Sequence, residues 1–251
     1  MLPDLIRISL LGGLLAVEKS AGWSLMLSQP LVGACLAGAL IDPGPEWELW
    51  VLRIPIAVGA LLQLLLTDSA LPAAQRSHDT ATAGIVGTAV AIVGVTRLHD
   101  VLPGSLGGLL WVVVGTATGL LSGVLGGWFA RLHARPARAV VARAEALATS
   151  GATGAFERFV WGGLGRTFLT AAVWTWGATI LFAGLALTLL PRVAVFLTTR
   201  RIGFVFATLL GAALVTAFHA HVRGRRHGMR WAALGALVVT ALLFGLRGGG
   251  S

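Results

Sequence analysis

Long apolar runs alternate with short polar ones along the whole chain, and their lengths predict membrane-sized helices rather than strands. Residues 5–17 form a first apolar segment that ends at Glu18-Lys19. A second, residues 21–41, is interrupted by Gln29-Pro30. Proline removes a backbone donor and breaks a helix. In lipid such a break is tolerated only where protein or a water-filled cavity covers the freed backbone. Asp42-Pro43-Gly44-Pro45-Glu46 reads as a turn, and Trp47 and Trp50 open a third segment at an interfacial position. That segment, 49–66, carries Arg53, Pro55 and Gln63 within an apolar run. The polar stretch Thr67 to Thr80 then precedes residues 81–96, which are small and apolar. Their shortness favours a re-entrant or broken helix over a full crossing.

Residues 101–128 make the clearest helix. Gly115, Gly119, Gly123 and Gly127 recur every four residues and so line one face. Such a stripe lets another backbone approach closely, and packing within the chain is the expected use, ahead of a seam between subunits. Residues 130–158 read as a basic amphipathic insert, with Arg131, Arg135, Arg138 and Arg143 at helical spacing beside Glu145 and Glu157. Arginines so placed suit the cytoplasmic surface of a membrane, where anionic lipid attracts them. Apolar segments at 159–190 and 202–222 follow, then the basic loop Arg223, Arg225, Arg226 and Arg230, and a final segment at 231–246. Two crossings between the basic stretches put both on the same, cytoplasmic side. The tail 247–251 is expected to be disordered.

Composition turns this pattern into a fold class. Of 251 residues, 56% are hydrophobic and 12% charged, about half the charged share of a soluble domain. So little charge cannot cover a water-facing surface. At roughly 20 residues per span, the length allows about seven to nine spanning or re-entrant segments. The expectation is a polytopic all-α membrane protein with one domain over 1–246. The net charge of +9 comes almost wholly from arginine, since Lys19 is the only lysine. These arginines sit in short loops between apolar runs, where they set topology, and nucleic-acid binding is not expected. Cys35 is the only cysteine, which excludes an internal disulfide and a cysteine-based metal site. No small-residue cleavage site follows the first apolar run, so no cleaved leader is expected.

The chain shows no HExxH, P-loop or GxSxG pattern. His219 and His221 lie two apart and point to different faces of a helix, so they read as interfacial residues rather than ligands. No catalytic residue, cofactor or metal is expected. Polar residues at membrane depth are the candidates instead, because a charge at the centre of a span costs roughly 2.5–3.5 kcal/mol on the insertion scale. They cluster early: Glu18, Lys19, Ser24, Gln29, Gln63, Asp68, Gln75, His78, Asp79 and Thr80. Seven of the ten acidic residues precede position 80, although Asp42, Glu46 and Glu48 fit loops. Amides and carboxylates gathered between broken helices suit a neutral, hydroxyl-rich solute better than an ion.

The order of these residues resembles a known family. The run Glu18-Lys19-Ser20-Ala21, Leu25-Met26-Leu27-Ser28-Gln29-Pro30-Leu31-Val32-Gly33, then Leu36-Ala37-Gly38 and Asp42-Pro43, is similar to membrane subunit IIC of the mannose/fructose/sorbose class of sugar phosphotransferase systems. In that family an acidic residue stands eleven positions before an Arg-Pro-Leu-Val-type motif, as Glu18 stands eleven before Gln29 here. Leu62-Gln63-Leu64-Leu65 and Leu71-Pro72-Ala73-Ala74 through Asp79-Thr80 sit where the family has a Leu-Glu-Leu-Leu-type segment and a Leu-Pro-Val-Gly-Ala-Ala loop ending in Pro-Asp. The likeness runs to about residue 246 and is distinctive over the first 80.

The resemblance implies a sugar-translocating permease subunit in a bacterial inner membrane. It would work in an oligomer with a second membrane subunit, IID, and pass a hexose to cytoplasmic IIB, which is charged through IIA from phosphoenolpyruvate. It further implies that Gln63, Asp79 and Thr80 contact sugar hydroxyls, with Glu18, Ser24 and Gln29 lining or supporting the site. Four departures accompany it: Gln29 stands where the family usually has Arg, Gln63 where it usually has Glu, Gln75-Arg76-Ser77-His78 lacks the usual apolar and Pro-Pro residues, and extra residues separate Asp42 from Gln63. Losing both charges together avoids stranding one in low dielectric. The alternative expectation is a diverged subunit that keeps the fold, transports nothing and serves regulation or assembly.

Overall fold

The computed structural model describes residues 2–21, 26–41, 48–66, 79–98, 105–133, 137–151, 153–194 and 199–222. Among these residues it is all-helical, with eight α-helices: α1 (Leu2–Ala21), α2 (Pro30–Leu40), α3 (Glu48–Leu65), α4 (Thr80–Leu98), α5 (Ser105–His133), α6 (Ala137–Thr149), α7 (Thr153–Ala194) and α8 (Thr199–Val222). The 67–78 loop, the basic loop from Arg223, the segment 231–246 and the tail 247–251 lie outside the described residues, as does Ser24. Three helices are long and apolar enough to cross a membrane: Thr80–Leu98, Gly107–Leu132 and Thr153–Arg192. Pro30–Leu40, Arg53–Leu65 and Arg201–Ala217 are shorter apolar helices.

The expected break at Gln29-Pro30 is present. Pro30 does not kink a helix; it opens α2 at the first helical position, where its missing N–H would have had no partner anyway. Gln29 before it is extended, at φ −72° and ψ 144°, which is what a residue preceding proline prefers. Met26 enters this turn at φ 59°. In α3, by contrast, Pro55 lies inside a continuous helix.

Helix α4 differs most from its expected form. It runs unbroken for 19 residues, and 78% of its best membrane window is buried inside the protein. An unbroken helix, long and apolar enough to cross a membrane, therefore replaces the broken one expected. Its small side chains explain the central place, since α2, α3, α5, α7 and α1 all pack on it. A Cβ on Gly84 would collide with the Pro30 carbonyl of α2. On another face, Gly87 meets Gly115: a Cβ on Gly115 would lie 2.6 Å from the Gly87 oxygen. A Cβ on Gly119 would lie 2.6 Å from the Ala83 oxygen, and one on Gly123 would lie 2.9 Å from the Ala83 Cβ. Three glycines of the α5 stripe are thus used in packing against α4. Trp111 fills the space above Gly94 and is buried.

Around this centre, α3 lays Val58 and Leu62 over the α4–α5 seam. Helix α1 packs on α7, with Gly12 against Thr175 and Gly13 against Phe168. Several buried hydroxyls are satisfied inside their own helices: Thr116 donates to the Val112 carbonyl, Thr179 to Thr175 and Ser122 to Gly119, whereas the Thr88 hydroxyl of α4 has no partner among the described residues. That local bonding lets polar side chains sit in an apolar interior.

The insert and the segment after it also divide differently. Rather than one amphipathic unit over 130–158, α5 carries Arg131 to its end, α6 holds the middle, and α7 already begins at Thr153. Helix α7 continues through 159–190 as part of a single 42-residue helix. Gly151, at φ 67°, makes the turn between α6 and α7. The Arg143 guanidinium lies 5.8 Å from the Phe159 ring centroid, within cation–π range across that turn.

Candidate functional site

Five of the six expected site residues lie toward one end of the helix pack. Glu18, on the last turn of α1, is buried although it is a carboxylate. Its Oε2 accepts a hydrogen bond from the Ser28 backbone N–H at 3.1 Å. Across the same turn, the Thr80 hydroxyl donates to the Ser28 carbonyl at 3.2 Å. The turn before α2 is therefore held on one side by the end of α1 and on the other by the start of α4. This is the covering of freed backbone that a broken helix needs in an apolar setting.

Asp79 stands just before α4. Its Oδ1 accepts from the Thr82 N–H at 3.3 Å, and its Oδ2 accepts from the Thr82 hydroxyl. The carboxylate thus caps the helix N-terminus, satisfying a donor that has no partner within the helix and placing negative charge at the positive end of the dipole. Asp79 is anchored in turn by its own N–H, which donates to the Gly123 carbonyl of α5 at 2.8 Å. The glycine stripe permits that approach.

Gln29 is half-buried in the turn; its N–H donates to the Met26 carbonyl at 3.2 Å, and its carbonyl accepts from Gly33 at 2.9 Å. Its side chain makes no capping hydrogen bond to α2. Gln63 is half-buried on the last turn of α3, and its Oε1 atom is buried. Helices α2 and α3 are antiparallel neighbours, with Gly59 against Leu31, so the turn holding Gln29 and the end holding Gln63 face the same way. Glu18, Gln29, Gln63, Asp79 and Thr80 thus approach one end from four helices, while Ser24 lies outside the described residues.

Several residues of this region have no counterpart among the sequence candidates. Thr82 is one, although an Asp three residues before a threonine at a helix start is a recognisable capping signal. Ser28 acts through its backbone, which composition cannot reveal. Trp174 of α7 and Phe129 of α5 are the others; their rings stack at 5.2 Å between centroids. A Cβ on Gly126 would lie 2.6 Å from Trp174 Nε1 and 3.2 Å from Asp79 Cβ. A tryptophan within a long apolar run reads as lipid-facing, and only the tertiary packing turns its nitrogen toward the α4 N-terminus.

The arrangement offers carboxylate and hydroxyl oxygens and amide groups, with an indole beside them. It can hydrogen-bond a neutral solute, and it presents no nucleophile paired with a base. Among the described residues, no three His, Cys, Asp or Glu side chains gather in a group that could hold a metal ion. His219 and His221 lie on α8, their side chains outside the described ones. No protein-family model, curated protein or solved structure matches this chain.

Proposed function

We propose that this chain is the sugar-translocating IIC-type permease subunit of a mannose-class phosphotransferase system. In this reading it crosses a bacterial inner membrane with seven to nine spanning or re-entrant segments. It binds a hexose among Gln63, Asp79 and Thr80, supported by Glu18, Ser24 and Gln29. It works in an oligomer with a IID subunit and hands the sugar to IIB, which receives its phosphoryl group through IIA.

The observation that carries this reading is the hydrogen-bonded junction of α1, the α2 turn and α4 through Glu18, Ser28 and Thr80. Glu18, Ser28 and Thr80, each from a stretch that carries the resemblance, meet there. A broken helix with polar groups gathered at its break is how transporters hold a solute at membrane depth. Hydroxyl-rich solutes suit acceptors and amides that need no net charge transfer.

The test is thermal stabilisation of the chain, co-purified with its IID subunit, by a panel of hexoses and amino sugars. Stabilisation by one sugar, lost in Gln63→Ala or Asp79→Ala, is the expected result. A folded complex that no sugar stabilises refutes transport. It would favour the second reading, a non-transporting subunit with a regulatory or assembly role, to which the amides at Gln29 and Gln63 already lend support.

A further inference from the structure

The Trp174 indole nitrogen is buried and has no hydrogen-bond partner among the described residues. An indole nitrogen can only donate, and a buried donor without an acceptor is an exception that calls for a cause. Its ring is fixed by stacking on Phe129 at 5.2 Å, so the N–H cannot swing freely to find one. It is directed at Gly126, where an added Cβ would lie 2.6 Å from Nε1 and 3.2 Å from the Cβ of Asp79. The absence of a side chain at Gly126 thus lets the indole nitrogen and the aspartate both close on the same backbone position and lie adjacent. Of the roughly four acceptor sites on a carboxylate, Thr82 occupies one on each oxygen of Asp79. Among the described residues no other donor takes the remaining sites.

We propose that the Trp174 N–H and the Asp79 carboxylate form a donor–acceptor pair that receives one hydroxyl of a bound polyol. A hydroxyl both donates and accepts, so a single group completes both residues. An anion would satisfy the indole but would be repelled by the carboxylate, and a cation would do the reverse. The pair therefore selects a neutral hydroxylated solute. This inference rests on the permease reading and adds to it a residue of α7, contributed from the far half of the chain.

The experiment measures binding of D-mannose, D-glucose, D-fructose and N-acetyl-D-glucosamine by calorimetry, on the full chain with its IID subunit, in wild type and in Trp174→Phe. Phenylalanine keeps an aromatic face for Phe129 and removes the donor, with a smaller ring. The expected result is about tenfold weaker binding of the preferred sugar, as for one buried hydrogen bond, in a complex that still unfolds cooperatively in the absence of sugar. Equal affinity in Trp174→Phe overturns the inference and leaves the permease reading standing. A wild type that binds none of the four sugars overturns both. Should Trp174→Phe fail to fold, Gly126→Ala decides: its Cβ, 2.6 Å from Nε1, must push the indole from its place beside Asp79, so undiminished binding there equally overturns the pairing.

Discussion

At the scale of single residues, two carboxylates near the helix ends do structural work that can be separated from any work on a solute. Asp79 caps α4 through the Thr82 N–H. Removing the cap in Asp79→Ala should cost about 1 kcal/mol of stability, whereas Asp79→Asn, which keeps an acceptor oxygen, should cost only a few tenths. Unfolding midpoints in detergent check this, and an equal loss in both variants would mean that charge rather than capping matters there. Glu18 has a heavier task, because its oxygen serves a backbone N–H in a buried turn. Glu18→Ala leaves the Ser28 donor without this acceptor, a loss of about 1–3 kcal/mol, while Glu18→Gln retains an acceptor and should recover most of it. If Glu18→Gln is as unstable as Glu18→Ala, the Ser28 bond is not what holds the turn. Sugar affinity measured alongside would show whether either residue also touches the solute.

At the scale of helices, close packing of α4 on α5 depends on the lack of side chains at the seam. Gly115→Leu would drive a branched side chain into the Gly87 carbonyl, already 2.6 Å from a single added Cβ. Overpacking of this kind costs about 1–3 kcal/mol or more, and it should appear as loss of monodisperse protein in size-exclusion chromatography. Gly177→Leu on the α7 surface, where nothing lies within 4 Å of an added Cβ, should be tolerated. Equal damage from both would remove the seam argument. The stripe itself was readable, because a four-residue period of glycine has one geometric meaning on a helix. So was the break at Pro30, which local backbone chemistry dictates. Helix α4 was harder to read: the apolar run 81–96 is too short to cross, and the helix gains Thr80 at one end and Arg97-Leu98 at the other, residues that hydropathy leaves outside the run. Nor could hydropathy show that α7 is continuous from Thr153, since Glu157, Arg158 and Arg166 interrupt the apolar pattern without interrupting the helix. The candidate site was legible only where it rests on polar side chains. Ser28, acting through its backbone, and Trp174, turned inward by packing, leave no mark in composition.

At the scale of the whole molecule, the length of α7 sets how the protein meets a bilayer. Its 42 residues extend about 63 Å, against a hydrocarbon core of about 30 Å. Half of the helix must therefore lie outside, and the charged residues decide which half. Glu157, Arg158 and Arg166 all fall in its first third and are exposed, while residues 167–191 carry none of Asp, Glu, Lys or Arg and are long enough to cross. The amphipathic α6 folds back beside this protruding part, with Arg143 over Phe159. By the positive-inside rule, the arginines around it predict the cytoplasmic side for this region. In a Cys35→Ser background, which removes the only cysteine, Glu157→Cys should react with a membrane-impermeant maleimide in inverted vesicles and not in right-side-out ones. Val173→Cys should resist the reagent in both, although the Val173 side chain is open to the outside of the protein, because lipid covers it. Labelling of Glu157→Cys from the outer side would reverse the orientation. Labelling of Val173→Cys as fast as Glu157→Cys would put the middle of α7 in water and remove its membrane crossing.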